Sequence, residues 1–363
     1  MKIAMLTDRL ALGGGPECIR LIARYLPEHE YTVFAGSGTL PALETLPNVR
    51  VVRSFPGRKE LEKFDLVHCH HLRPLARLRV PTGVPVINTV HGVHSRKFEY
   101  KSGLGNAIRG ICRRSLERRL FSRVTVNIAL TPDDRDWLKK HYRLDNLAVI
   151  PNGIETDIPR PTDSDALYRE LGLPKSKHLL LMIGRFDFLK GHDILLKAVM
   201  LTADSLRRNG VIIALIGDGE DRPQFERMAR KHSLDDILFF CGGRSDAKRF
   251  LPLAEGVLLP SRWEGLPLVA LEAGVCGIPV IGAAVPGIAS LLEEGRTGRL
   301  FPAEDAAVLG KLLADETLFD VLPLLGQAWR EDVLNHYSVE RMTAALDALY
   351  RTVVHNSNER KLL

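Results

Sequence analysis

The string Arg262-Trp263-Glu264-Gly265-Leu266-Pro267-Leu268-Val269-Ala270-Leu271-Glu272-Ala273 joins two carboxylates to a helix start, directly after the apolar run GVLLP. Pro267 suits the first turn of a helix because it has no N–H to leave unpaired. The remaining first-turn amides, including those of Leu268 and Val269, then offer a phosphate site at the end of a strand. Glu264 and Glu272 stand eight apart, one in the loop and one inside the helix. Both can point into one crevice, and a carboxylate accepts two hydroxyls at once, as a ribose or hexose presents them. The plainer reading makes Glu272 a surface helix residue and Glu264 a loop charge.

Gly184-Arg185-Phe186-Asp187-Phe188-Leu189-Lys190-Gly191 lies between the run LLLMIG and a helix beginning near Asp193. Two cations fixed beside a helix N-terminus suit the double negative charge of a diphosphate leaving group. An exposed basic loop is the alternative. Gly13-Gly14-Gly15-Pro16-Glu17 lacks the G-x-G-x-x-G spacing, so it argues for close backbone approach to a ligand rather than for NAD. His91 follows PVINTV, and His68, His70 and His71 bunch in DLVHCHH. His68 and His70 share one strand face, but no carboxylate or thiolate pair completes a ligand set, so no metal is expected and the histidines read as lining a cleft.

The elements that must position these residues alternate as short strand, loop and helix. KIAMLT, YTVFA, VRVV, DLVHC, PVINTV, VNIAL and LAVIP read as strands of the first half, and LLLMIG, GVIIALIGD, ILFFCG, GVLLP and IPVIGA as those of the second. Helical periods between them, such as 17–26 and 193–203, argue for parallel sheets with helices on both faces, hence two doubly wound α/β domains. The expected boundaries are a first domain over 1–155, a linker with three prolines over 156–177, and a second domain over 178–335. A last helix over 339–354 follows the second domain's final strand and packs elsewhere; the tail NSNERKLL is expected to be loose.

Length and composition agree: 363 residues suit about two domains, and no apolar stretch is long enough to span a bilayer. Five scattered cysteines without a C-x-x-C pair read as those of a reduced, cytoplasmic chain. MKIAMLTD reads as a first strand and not a signal peptide. Residues 1–150 hold 25 Lys and Arg against 14 Asp and Glu, a balance of +11, while the remainder is −5. Much of the excess falls in 95–123, nine basic residues against Glu99 and Glu117, which points to phosphate of some kind. There Leu104, Ile108, Ile111, Leu116 and Leu120 form one helical stripe, with Arg109, Arg113, Arg114 and Arg118 outside it. Such a helix either docks on an anionic membrane or packs its stripe on the core and leaves the arginines solvated. Only 6% of residues are aromatic and no nucleic-acid module is recognisable, so nucleic acid is not expected as a partner.

IGRFDFLKGHDILLKA, LIGDGEDRPQFERMARKHSLDDILFFCGG, LLPSRWEGLPLVALEAGVCGIPVI and EEGRTGRLF, in that order, resemble the C-terminal domain of family 4, the retaining nucleotide-sugar-dependent glycosyltransferases. GGGPECIRLIARYL, DLVHCHH, TVHG and VIPNGI are similar to the family's N-terminal domain, so the resemblance covers nearly the whole chain. It implies a GT-B fold, two Rossmann-like domains facing each other across a cleft, with the donor held mainly by the second, the acceptor mainly by the first, and a last helix returning to the first. By resemblance, Arg185 and Lys190 match the diphosphate-binding pair, Glu272 the ribose-binding glutamate, and Glu264 the first glutamate of the E-x7-E motif. The backbone of Gly265, Leu266 and Leu268 would reach sugar hydroxyls and phosphate. His91 matches the histidine beside the donor sugar, Gly14 and Gly15 the loop near the β-phosphate, and Arg244 a contact to the base. Ser290 departs from the family, many of whose members carry glutamate there.

The implied activity is metal-independent transfer of a hexosyl group from a nucleoside diphosphate sugar, UDP being the commonest, to a glycan or lipid-linked hydroxyl in bacterial surface polysaccharide or lipopolysaccharide synthesis. No cofactor is implied, since the nucleotide sugar is a substrate, and the chain is expected to be a monomer in the cytoplasm or peripheral on the inner face of the membrane. A nucleotide-sugar epimerase or hydrolase of the same fold, or a non-catalytic module for anionic surfaces, are the competing readings.

Overall fold

The aliphatic runs form two all-parallel sheets in the computed structural model, which describes residues 1–11, 13–93, 95, 96, 98, 103–158 and 163–362. The first sheet holds β1 (Lys2–Leu10), β2 (Glu30–Gly38), β3 (Val49–Val52), β4 (Leu66–Cys69), β5 (Val86–Val90), β6 (Val126–Ala129) and β7 (Leu147–Val149), in the order β3-β2-β1-β4-β5-β6-β7. The second holds β8 (His178–Ile183), β9 (Val211–Ile216), β10 (Leu238–Gly242), β11 (Gly256–Leu259), β12 (Val280–Ala283) and β13 (Gly298–Phe301), in the order β10-β9-β8-β11-β12-β13. Every residue of β5 and of β9 is buried, as strands covered by helices on both faces must be. In β1 the alternation is explicit: Ile3 and Met5 join one core cluster and Ala4 and Leu6 the other.

The chain divides into two units, one of Met1–Gly153 with Tyr337–Leu363 and one of Ile154–His336. The final helix, Val339–Leu362, joins the first unit: Val339, Met342, Leu346 and Tyr350 share a core with Ile3, Met5, Ile19 and Ile22. It runs eight residues beyond the expected 354, so the tail is not loose. There is no glycine or proline stop after Val354, and Ser357 Oγ donates to the carbonyl of Gly83 at 3.1 Å. The expected linker over 156–177 is also corrected. Residues 159–162 lie outside the described ones, and beyond them Asp163 caps a helix, Ser164–Glu170, by accepting from the amide of Ala166 at 2.9 Å. Leu167, Leu171 and Leu173 then enter the core of the second unit with Leu179 and Ile212. Apolar burial makes this stretch part of that domain. β13, four residues long, was not anticipated as a strand; it adds to the edge through β12.

Among the described residues no helix is long and apolar enough to cross a membrane.

Candidate active site

In each sheet the chain winds outward from a central pair of strands, β1 and β4 in the first, β8 and β11 in the second. Loops leaving the carboxyl ends of such a pair diverge to opposite faces and leave a crevice between them, the usual ligand position in this architecture.

In the second unit the loop after β8 carries Arg185 and Lys190, and the loop after β11 carries Glu264. Gly191 sits at φ 72°, a left-handed conformation that glycine adopts freely; a Cβ there would fall 1.9 Å from the carbonyl oxygen of Pro260. That close approach brings the loops into register. Lys190 Nζ donates to Glu264 Oε1 at 2.7 Å, and Ser261 Oγ donates to the same oxygen at 2.7 Å. Two residues assigned separate ligand roles are thus a half-buried ion pair. The Arg185 side chain is 80% exposed and pairs with Asp187 at 3.1 Å. The loop after β12 packs here as well, since a Cβ on Gly287 would lie 2.4 Å from the carbonyl oxygen of Glu264. Ser290 Oγ turns back to the carbonyl of Gly287 at 3.5 Å.

Pro267 caps the helix Leu268–Cys276 from just outside it, one position earlier than a first-turn proline. Leu268 and Val269 then supply amides with no carbonyl four residues back inside the helix. Gly265 and Leu266 are buried, and Glu272 is half-buried in the second turn. Arg244 follows β10, which β9 separates from β8. Its guanidinium bonds Asp246 at 3.0 Å, pairs with Glu170, and lies 4.7 Å from the centre of the Phe250 ring. These partners hold Arg244 just beyond the end of β10, where Gly243 packs on Asp218, whose carbonyl accepts from the amide of Phe186 at 3.0 Å beside Arg185.

Sequence reasoning missed Arg262, although it stands inside the quoted string. It is 6% exposed. Its guanidinium forks onto both carboxylate oxygens of Asp193 at 2.7 Å each, donates to the carbonyl of Phe188 at 2.8 Å and to Glu304, and stacks 4.1 Å from the Phe188 ring centre. Its amide bonds the carbonyl of Leu189 at 2.8 Å. Arg262 thereby holds the turn that ends in Lys190.

In the first unit the glycine loop opens the helix Gly14–Tyr25 beside the histidines. Gly14 is exposed; Gly15 is buried, and any Cβ there would lie 2.6 Å from the His71 ring. His71 Nδ1 bonds Thr7 Oγ1 at 3.1 Å, and His70 Nδ1 bonds His91 Nε2 at 3.1 Å. His68 uses both nitrogens, on the Tyr350 hydroxyl and on Thr89 Oγ1, each at 2.7 Å. A metal would have to displace a partner to reach either nitrogen of His68. Among the described residues His70 Nε2 has no hydrogen-bond partner, and a cavity of about 10 Å³ lined by His70, His71, Asn88, Thr89 and His91 has room for about one water.

Burial keeps His68, His70 and His71 neutral. It pushes the pKa of His68 down to about 3 and that of His70 well below the ordinary histidine value, the neighbouring imidazoles adding to the latter. Unfolded histidines protonate near pH 6.5 and these do not, so below that pH the unfolded state binds more protons and stability falls. One proton's difference is worth about 1.4 kcal/mol per pH unit, so the pair should cost about 3 kcal/mol per unit between roughly pH 6 and 4. Asp134, raised to about 6 mainly by burial, takes its proton more readily folded than unfolded and returns about half of that. The unfolding midpoint should therefore drop between pH 7 and 5; a flat or rising midpoint would contradict this.

Two parallel, doubly wound units in one chain, each with a crevice at its strand-order reversal, are the architecture called GT-B. Residues 163–315 match the family model for glycosyl transferases group 1, and residues 12–158 match that for glycosyltransferase family 4. A D-inositol 3-phosphate glycosyltransferase of Frankia alni is 30% identical over 285 residues, 74% of this chain and 69% of its own. One of Streptomyces scabiei is 28% identical over 373 residues, 96% of this chain and 82% of its own. The chain belongs to the family 4 glycosyltransferases. In fold it is similar to Anabaena Alr3699/HepE, solved with UDP-glucose (TM-score 0.82, 19% identity, 97% of this chain and 100% of that one). It also resembles WaaG, a glycosyltransferase involved in lipopolysaccharide biosynthesis (TM-score 0.75, 19% identity, 95% and 99% covered).

Proposed function

We propose that this glycosyltransferase moves a hexosyl group from a nucleoside diphosphate sugar, UDP by preference, to a hydroxyl with retention of configuration and without a metal. The observation that carries the reading is the convergence of Arg185, Lys190, Glu264 and the Leu268–Cys276 helix start at the β8/β11 reversal. The reaction breaks the bond from the anomeric carbon to the diphosphate and builds negative charge on the departing oxygen. Lys190, Arg185 and the first-turn amides oppose that charge, and such preorganised donors are usually the largest catalytic term. Glu272 accepts from the ribose hydroxyls and Glu264 from the sugar, while Ser261 and Lys190 fix the orientation of Glu264. By the family resemblance, Gly14, Gly15 and His91 are further candidates for the donor, and the first unit is the candidate for the acceptor. Retention rests on membership of the family.

A glycan or lipid-linked acceptor in surface polysaccharide synthesis fits the likeness to WaaG. The D-inositol 3-phosphate glycosyltransferases among its relatives favour a second acceptor class, a phosphorylated polyol, which the +11 balance of residues 1–150 suits.

A panel of UDP-hexoses assayed with both acceptor classes in the presence of EDTA tests this. A glycoside with the donor's anomeric configuration is expected. Loss of transfer on chelation with rescue by Mg²⁺ or Mn²⁺ overturns metal independence, and free sugar without glycoside means a hydrolase or epimerase. In the same series Glu272→Ala should weaken UDP binding in calorimetry with the unfolding midpoint unchanged; parental affinity would remove Glu272 from the ribose site.

A further inference from the structure

The helix Leu104–Phe121 is built inside out. Its inward side carries Glu117, 0% exposed, whose carboxylate accepts from Arg113 Nε at 2.9 Å, the Tyr142 hydroxyl at 2.6 Å and the Ser95 amide at 3.3 Å. Arg114 also turns inward, 5.7 Å from the Trp137 ring centre. These bonds fix the rotation of the helix about its axis, because releasing a buried, hydrogen-bonded carboxylate would strand it without partners. Only Leu120 and Phe121, at the C-terminal end, put large apolar side chains into the core.

Leu104, Ile108, Ile111 and Leu116 consequently face solvent, at 79%, 53%, 65% and 42% exposure. The first three follow one another at spacings of four and three and form a single row. Arg109 is exposed within the span of this row, and Arg118, Arg119 and Arg123 are exposed at the C-terminal end of the helix and just beyond it. Of the two readings of this helix, the one that packs its stripe on the core holds only at Leu120, and the docking reading is corrected at Arg113 and Arg114, which turn to Glu117 and Trp137 and leave the basic rim.

A row of exposed aliphatic side chains continued along the same element by exposed arginines is an interaction surface. We infer that this helix face docks on an anionic lipid membrane, with Leu104, Ile108 and Ile111 entering the acyl boundary and the arginines meeting headgroup phosphates. Charge complementarity selects this occupant. A second copy would set arginine against arginine across a two-fold axis, whereas a plane of anionic headgroups meets every arginine while the apolar row leaves water. The inference does not rest on the proposed transfer reaction, and its test reads binding alone.

The experiment is co-sedimentation of the full chain with vesicles of phosphatidylglycerol and phosphatidylcholine in equal parts, and of phosphatidylcholine alone. Cys112, the one fully exposed cysteine among the five, is exposed on the same helix and can carry a polarity-sensitive fluorophore. Binding to the mixed vesicles only is expected, weakening with salt, with a blue shift from Cys112. Each of Arg109→Ser, Arg118→Ser, Arg119→Ser and Arg123→Ser should lose about fivefold in affinity. The double variant Ile108→Ser, Ile111→Ser should lose more than about tenfold. All six positions are exposed, so the unfolding midpoint should stay parental. Binding to neither vesicle, equal binding to both, or a solution dimer that Ile108→Asp dissociates without any lipid binding would each overturn the proposal.

Discussion

Replacing Lys190 by alanine is expected to lower turnover by about 10²–10³, equivalent to about 2.7–4 kcal/mol of barrier, the loss seen when one preorganised donor to a developing anion is removed. The structure refines what else changes. Lys190 is bonded to Glu264, so the variant leaves that carboxylate with Ser261 alone among its described side-chain partners. The Lys190 side chain is 25% exposed, and stability should change far less than turnover. Arg185→Ala removes a cation that is 80% exposed and more strongly screened, and about a tenfold loss is expected. Glu264→Gln separates the roles: it removes the counter-charge from Lys190, so UDP should bind at least as tightly while transfer falls. Steady-state kinetics and UDP calorimetry on the three variants check this. Turnover near the parental value in both cation variants would sink the assignment of Arg185 and Lys190.

Arg262→Ala should have the largest effect on stability. It deletes a guanidinium that is 6% exposed and strands Asp193, Glu304 and the carbonyl of Phe188. Breaking a fully buried pair costs about 3–5 kcal/mol; with Asp193 and Glu304 partly exposed the lower end applies, about 3 kcal/mol. For a unit of this size that is about 6–12 °C in the unfolding midpoint of the second domain. Turnover should fall too, by about 10²-fold, because the turn ending at Lys190 loses its clamp and small misplacements of a positioned group are costly. Arg262→Lys should not restore either property, since an ammonium cannot fork onto Asp193 and reach the Phe188 carbonyl at once. Calorimetric unfolding compared with kcat decides between a clamp and a bystander: an Arg262→Ala protein with parental midpoint and turnover would show that the ion-pair network is idle.

The residues themselves determined a great deal. Twelve of the thirteen strands are apolar runs bounded by polar loops and were legible as such, most clearly those like β5 and β9 that are covered on both faces. Gly191 and Pro267 mark helix starts through their own backbone chemistry, and the order of the motifs was enough for the family resemblance. What spacing along the chain could not contain is which strands become neighbours. Lys190 and Glu264 are 74 residues apart, and only the β8/β11 reversal sets them in contact. The same reversal turned Arg262, an unremarked cation in the sequence, into the clamp of the loop before it. β13, with only four residues, was too short to announce itself. The periodicity of 104–120 revealed an apolar stripe but not the direction it faces. Periodicity measures the separation of polar from apolar sides of a helix, whereas its orientation is chosen by whichever side finds the stronger partners. Here Glu117, with Arg113, Tyr142 and Ser95 waiting for it, outbid four aliphatic side chains, because a buried carboxylate is stable only where its hydrogen bonds are complete.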